Sequence, residues 1–161
     1  MVIVVALVVG VAGGGYYFLT HKNGVVRTED GRVVNYKQDN KQVEILDGSG
    51  KLVIGGEVKL TEDFPKDIPV YPKAKITSVF DSKEGQIASG LTQESMDGVD
   101  KIVNWYREEG KKQGWTLLGE DRLSETMASI TFKKGTRIGG LSVIKGEDGK
   151  VLISFSTGES P

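Results

Sequence analysis

Charged residues are absent from Val2 to Leu19 and scattered through everything after Thr20. At about 1.5 Å per residue an uncharged run of this length makes a helix of about 27 Å, close to a hydrocarbon core of roughly 30 Å. It has no polar face of the kind a surface helix in water carries. Tyr16, Tyr17 and Phe18 stand where an aromatic belt meets lipid headgroups, and His21 and Lys22 leave the run. The pattern predicts a transmembrane anchor over residues 1–21, with the bilayer as a partner through residues 2–19. Two other assignments compete: a cleaved signal peptide, with Ala12 and Gly14 as the small residues of a cleavage site, and a buried core element. No Lys or Arg precedes the run, and Lys22 and Arg27 follow it. Taken literally, these charges place the remainder on the cytoplasmic side. A longer reading frame with basic residues upstream of Met1 would reverse that orientation.

Beyond the run the apolar period shortens to two. Over residues 22–60, Val25-Val26 and Val33-Val34 flank Thr28-Glu29-Asp30-Gly31, and Val43 and Ile45 are joined to Leu52 and Ile54 through Asp47-Gly48-Ser49-Gly50. Asp-Gly between apolar pairs predicts hairpins. The strands are short and an isolated hairpin is marginal in water, so this region reads as a β-rich stalk, either weakly ordered or a ribbon that leans on another element. Residues 61–73 hold three of the chain's four prolines. They form a stiff extended linker, because each ring fixes its own φ and biases its predecessor towards extended backbone. Phe64, Ile68, Val70 and Tyr71 within it suit packing along the next domain, or docking on an aromatic groove.

Residues 74–158 predict a globular domain of order β-β-α-β-β-β-β. Lys75 to Phe80 and Gln86 to Thr92 read as strands. Val99, Ile102, Val103 and Tyr106 then recur at helical spacing, with Asp97 as the capping candidate, Asp100 in the first turn and Gly114 at the C-terminal stop. Ala128, Ile130 and Phe132, then Leu141 and Val143, then Val151, Ile153 and Phe155 alternate as strand faces. Gly139-Gly140 inside a strand pattern predicts a bulge or a close backbone approach. The expected fold class is α+β, one amphipathic helix packed on an antiparallel sheet, preceded by the transmembrane helix and the stalk.

The segment Asp63-Phe64-Pro65-Lys66-Asp67-Ile68-Pro69-Val70-Tyr71-Pro72, followed by Val103-Asn104-Trp105-Tyr106 and Gly114-Trp115, resembles a loose group of uncharacterised bacterial exported or membrane-anchored proteins. These carry an FPxDxPxYPxA segment before a V-x-x-[WF]-Y…GW helix–strand motif. The resemblance covers roughly residues 61–120 and implies an extracytoplasmic domain; for a domain so placed an envelope protein is the expected partner. It brings no activity with it.

Composition narrows the chemistry. Lys and Arg total 21 against 22 Asp and Glu, with no basic block, so nucleic acid is not expected as a partner. There is no Cys and one His, His21, which excludes thiol nucleophiles, thiolate zinc, multi-histidine metal sites and a Ser-His-Asp triad in the domain. The Asp-Gly turns lack the spaced ligands of a calcium loop. No cofactor, metal or catalytic residue is assigned. Trp105 and Trp115, with Phe64 and Tyr71, are the candidate partner-binding residues, core packing being the competing assignment. The expected function is a non-catalytic binding or structural domain of a single-pass envelope protein. A pilin-like filament subunit is the alternative, although Val5 stands where type IV pilins usually carry Glu. A carboxylate-dependent hydrolase is a third reading, and it requires two facing acids, one with a raised pKa.

Overall fold

A computed structural model describes residues 23–27, 33–39, 42–47, 50–55, 58–60, 62–82 and 89–159. Four short strands come first: β1 (Asn23–Arg27), β2 (Val33–Asp39), β3 (Gln42–Asp47) and β4 (Gly50–Ile54). After the proline segment follow β5 (Lys75–Ser82), β6 (Ser89–Ser95), the helix α1 (Val99–Lys112), β7 (Thr116–Ser124), β8 (Met127–Lys134), β9 (Arg137–Lys145) and β10 (Val151–Glu159). All ten strands form one sheet in the order β1-β2-β3-β4-β5-β6-β10-β9-β8-β7. Every neighbouring pair is antiparallel.

This corrects the expected fold class. Strands dominate the described chain, and the expected stalk strands are not a separate appendage in the sheet. Ile54 pairs with Ser78 and Leu52 with Phe80, so the ladder runs from β4 into β5 without a break. Short apolar strands that are marginal alone gain a hydrogen-bonded template by extending an existing sheet. The membrane reading is also corrected. The predicted anchor at residues 1–21 lies outside the described residues. Among those described, no helix is long and apolar enough to cross a membrane. The helix that is described, α1, has fourteen residues and an exposed face carrying Asp100, Lys101, Asn104, Glu108 and Lys111. The single-pass assignment and the cell-membrane localisation built on it are therefore withdrawn.

The helix begins at Gly98, which serves as N-cap without a side-chain cap bond, so Asp97 is not the cap. Its end follows the glycine pattern. Gly114 adopts φ +85°, and the Trp115 N–H reaches the Gly110 carbonyl at 2.9 Å while the Gly114 N–H reaches Lys111 at 3.1 Å. That is the pair of bonds by which a left-handed residue satisfies the last carbonyls of a helix. The buried stripe Val99, Ile102, Val103, Tyr106 and Gly110 lies on the inner face of β6, β10, β9 and β8. There it meets Leu91, Ile153, Phe155, Leu141, Val143, Ile130 and Phe132. Alternation in register places Leu91, Phe155, Leu141 and Ile130 in one row across four strands. The strand β7 is an edge whose nine residues are all exposed, and it is interrupted by two register shifts. Bulges of this kind discourage pairing with another edge.

Gly139 pairs in unbroken register with Thr157 and Phe132, so it marks a close approach and not a bulge. A Cβ there would lie 2.9 Å from Phe155 Cζ and 3.2 Å from Trp115 Cζ3. A Cβ at Gly140 would meet only Ser156 Oγ, at 3.8 Å. Gly139→Ala should therefore destabilise the fold by about 1–3 kcal/mol through overpacking, while Gly140→Ala should change it by less than about 0.5 kcal/mol. Urea denaturation of the two variants beside the parent protein checks this, and equal midpoints would contradict it.

Candidate functional site

The proline segment, residues 62–73, is a strap laid over the helix-covered face of the sheet. Its apolar side chains point inward: Phe64, Ile68 and Tyr71 join the core, and Pro69 is fully buried. In place of the expected stiff extended linker the segment runs through turns closed by the Ile68 N–H on the Pro65 carbonyl, 3.1 Å, and the Ala74 N–H on the Tyr71 carbonyl, 3.3 Å, and with no ladder beside it the Tyr71 peptide needs partners from elsewhere. Gln93 on β6 supplies them. Its inward-facing side chain is wholly buried. Its amide Nε2 donates to the Tyr71 carbonyl at 3.1 Å, and its Oε1 accepts the Tyr71 N–H at 3.0 Å. The Tyr106 hydroxyl donates to the same Oε1 at 3.0 Å, tying helix, sheet and strap at one point.

Two further ties hold the strap, one at Tyr71 and one near its middle at Asp67. The Tyr71 hydroxyl donates to Asp97 Oδ2 at 2.7 Å, and Asp97 also accepts from Lys101 at 2.8 Å. The Lys101 ammonium, then the Tyr71 hydroxyl, holds the Asp97 carboxyl below its ordinary range. Burial, reinforced by the Asp97 carboxylate, pushes the Tyr71 phenol up to about 12. Burial likewise raises Tyr106. At the middle of the strap the Trp115 indole N–H donates to the Asp67 carbonyl at 2.6 Å. The Asp67 carboxylate receives Lys134 at 2.8 Å and Arg137 at 2.9 Å. Partial burial pushes this carboxyl up, but the bonds and charges of Lys134 and Arg137 outweigh it, and the net shift is downward. Arg137 also lies 5.2 Å from the Trp115 ring centre, within cation–π range.

The strap and Leu60 form a groove of about 530 Å³ lined by Leu60, Phe64, Pro65, Ile68 and Val70, with Glu62 and Lys66 as its charged residues. Neither Glu62 nor Lys66 is ion-paired among the described residues. The volume lies within the range of about 300–1,000 Å³ usual for small-molecule sites.

The four candidate residues chosen from the sequence take different places. Tyr71 and Trp105 meet edge to face with ring centres 5.1 Å apart. Trp115 is buried and reaches them only through Phe155 and Tyr106, at 5.9 and 6.1 Å. Phe64 is buried and forms part of the groove wall. Tyr71, Trp115 and Phe64 are thus packed inside, and Trp105 lies partly buried against the core. Sequence reading missed Gln93, Asp67, Lys134 and Arg137 as functional positions. Gln93 carried a usable signal, being a polar residue in phase with Leu91 on an inward-facing strand row. Among the described residues the two carboxyls with shifted pKa, Asp67 and Asp97, are both lowered and both engaged, the reverse of what an acid catalyst needs. Among the described residues no cluster of three His, Cys, Asp or Glu is placed to hold a metal.

A family profile described as START domain-like matches residues 76–160, more than half of the chain. No curated protein and no solved structure matches.

Gln93→Leu would strand the Tyr71 N–H and carbonyl in the core, and is expected to cost about 2–4 kcal/mol in urea denaturation. The Asp67 latch adds a pH term. Its folded pKa lies below the reference value of 3.8, so its stabilisation is complete above that value and fades as pH falls through the lowered one. The stability difference between the parent protein and Asp67→Asn should therefore narrow between about pH 6 and about pH 2. A difference that stays constant would show that the latch carries no charge-dependent stability.

Proposed function

We propose that this chain, which belongs to the START domain-like family, is a non-catalytic binding protein that takes an apolar ligand in the groove of its strap. The observation that carries this reading is the groove itself, with five apolar residues around about 530 Å³. Support comes from where space is left. The region between α1 and the sheet is filled by Tyr106, Phe132, Phe155, Ile102, Ile130 and Ile153, each less than 2 % exposed. The strap surface is concave and apolar, yet anchored at Asp67 and Tyr71 by side chains of β6, β8, β9 and the α1–β7 junction. A wall fixed before the ligand arrives loses less entropy on binding than a mobile one. The chemistry on offer suits binding: apolar lining for affinity, and one carboxylate and one ammonium for orientation.

Nile red, an uncharged apolar dye, tests the groove. The protein should bind it saturably at one site with a rise in fluorescence. Leu60→Glu should weaken binding about tenfold, the order expected for losing one leucine contact. Leu152→Glu, at an exposed position on the opposite face of the sheet, should leave binding unchanged. Dye binding that ignores the Leu60 substitution, or no saturable binding at all, would overturn the assignment.

A further inference from the structure

On the face of the sheet away from the groove, we propose that the uncharged run Val2–Leu19 is docked over β2–β5, as a cover that the chain itself supplies. Cross-strand register sorts the side chains of this part of the sheet, since paired residues share a face and residues two apart do too. Val43 pairs with Ile54 and Ile54 with Ser78, while Ile45 pairs with Leu52 and Leu52 with Phe80. Ser78 pairs with Thr92 and Thr92 with Ser154. All of these lie on the outer face, because the alternate positions Leu91 and Ile153 are buried in the core under α1. Val34 joins them, standing two residues before Tyr36, whose backbone pairs with Ile45. Val34, Val43, Ile45, Leu52, Ile54 and Phe80 therefore make one apolar stripe across four strands. The other face of β3 and β4 carries the Lys51–Glu44 ion pair, at 2.9 Å.

The stripe is apolar where the rest of the outer face is not. Past Phe80, whose ring lies over Gly90, the same face carries the hydroxyls of Thr92, Ser154, Ser142 and Ser129 in one register row. An antiparallel sheet commonly leaves such a face to water. Val43 within the stripe is 8 % exposed, while α1 and the buried side chains of the strap lie on the other face. The sequence places an occupant beside it. Leu19 stands four residues before Asn23, so the run ends within about 14 Å of the start of β1. β1 is the edge strand next to β2. At about 4.8 Å between strands the stripe from β2 to β5 is about 14 Å wide, within reach of the run. Neither surface carries a charge, and each costs about 25 cal/mol per Å² of apolar area left in water. A short tether gives the run an effective concentration of millimolar order at the stripe, above that of a free protein or a second copy.

The chain has no Cys, so single introduced thiols report on the cover. In the full chain, in buffer without detergent, Leu52→Cys on the stripe should react slowly with a polar maleimide at every protein concentration. Leu46→Cys, on the opposite face at a position 39 % exposed, should react fast. Replacing Val8 and Ala12 together by Lys loosens the cover without touching the sheet. It should speed labelling of Leu52→Cys about tenfold, by raising the uncovered fraction, and leave Leu46→Cys unchanged. A disulfide scan reads the same contact without charging the run: Leu52→Cys combined in turn with a second thiol at each position from Val2 to Leu19 should give an intramolecular crosslink in the monomer. Labelling that ignores the two lysines, with no crosslink at any position, would overturn the proposal. Protection that grows with protein concentration would assign the stripe to a second copy instead. Protection that appears only when phosphatidylglycerol vesicles are added would give the run to a bilayer and reject the cover as well.

Discussion

The fold turns on one side-chain amide. Gln93 is the only large polar side chain among those completely buried in the described core, and its position makes sense only through the Tyr71 peptide it pairs with. A segment with prolines at 65, 69 and 72 cannot join the sheet as a central strand, because proline offers no N–H to a ladder. It can nevertheless be bound to the sheet if a side chain imitates a strand partner. The Gln93 amide does this, presenting one donor and one acceptor to one residue of the strap. Burying that amide unpaired would cost on the order of several kcal/mol, so the strap and the core specify each other. The Tyr106 hydroxyl completes the arrangement by using the second lone pair of the same oxygen.

Everything the strap offers to solvent follows from that anchoring. Its inward residues are committed to the core and its carbonyls to Trp115, Gln93 and Ser95. What remains facing outward is Leu60, Glu62, Asp63 and Lys66, with Pro65 and Val70 half-buried beside them. The Asp67 latch contributes mainly position. It is about a quarter exposed, and ion pairs of that exposure stabilise folds by about 1 kcal/mol or less. Its larger consequence is to hold two cations and an aromatic ring around one turn of the strap.

The domain's strand and helix order could be read from period alone. Leu91, Ile130, Leu141, Val143, Ile153 and Phe155 sit inward where alternation puts them, and Val99 through Gly110 form the helical stripe. The strap's apolar residues were also readable as packed, since Phe64, Ile68 and Tyr71 are too large and apolar for a free linker. Three things were not readable. Alternation describes a strand's faces but not its neighbours, so nothing in Val43-Glu44-Ile45 or Leu52-Val53-Ile54 said that these strands extend the sheet through β5. The Asp97 side chain had two uses open to it locally, a helix cap or a long-range bond, and Tyr71, twenty-six residues away, decides in favour of the second. The cations that receive Asp67 flank the β8–β9 turn, where Lys134 and Arg137 look like ordinary solvated charges until the strap brings Asp67 across.

Family membership and the proposed ligand site do not coincide along the chain. The profile match begins at Ile76, one residue inside β5, whereas the strap and its groove end before Ala74. The matched region supplies the sheet, the helix and the fixed groups that receive the strap: Gln93, Asp97, Trp115, Lys134 and Arg137 all lie within it. The strap supplies the concave apolar surface. A binding site assembled this way has its supporting residues inside the shared domain and its contact surface in a segment attached to it. Changes at Leu60, Glu62, Lys66 or Val70 can then retune what is bound without touching the core. Changes at Gln93 or Trp115 alter binding only by releasing the strap, and so they must lower stability as well. Coupled loss of stability and binding in one set, and loss of binding alone in the other, is the signature by which this division of labour is recognised.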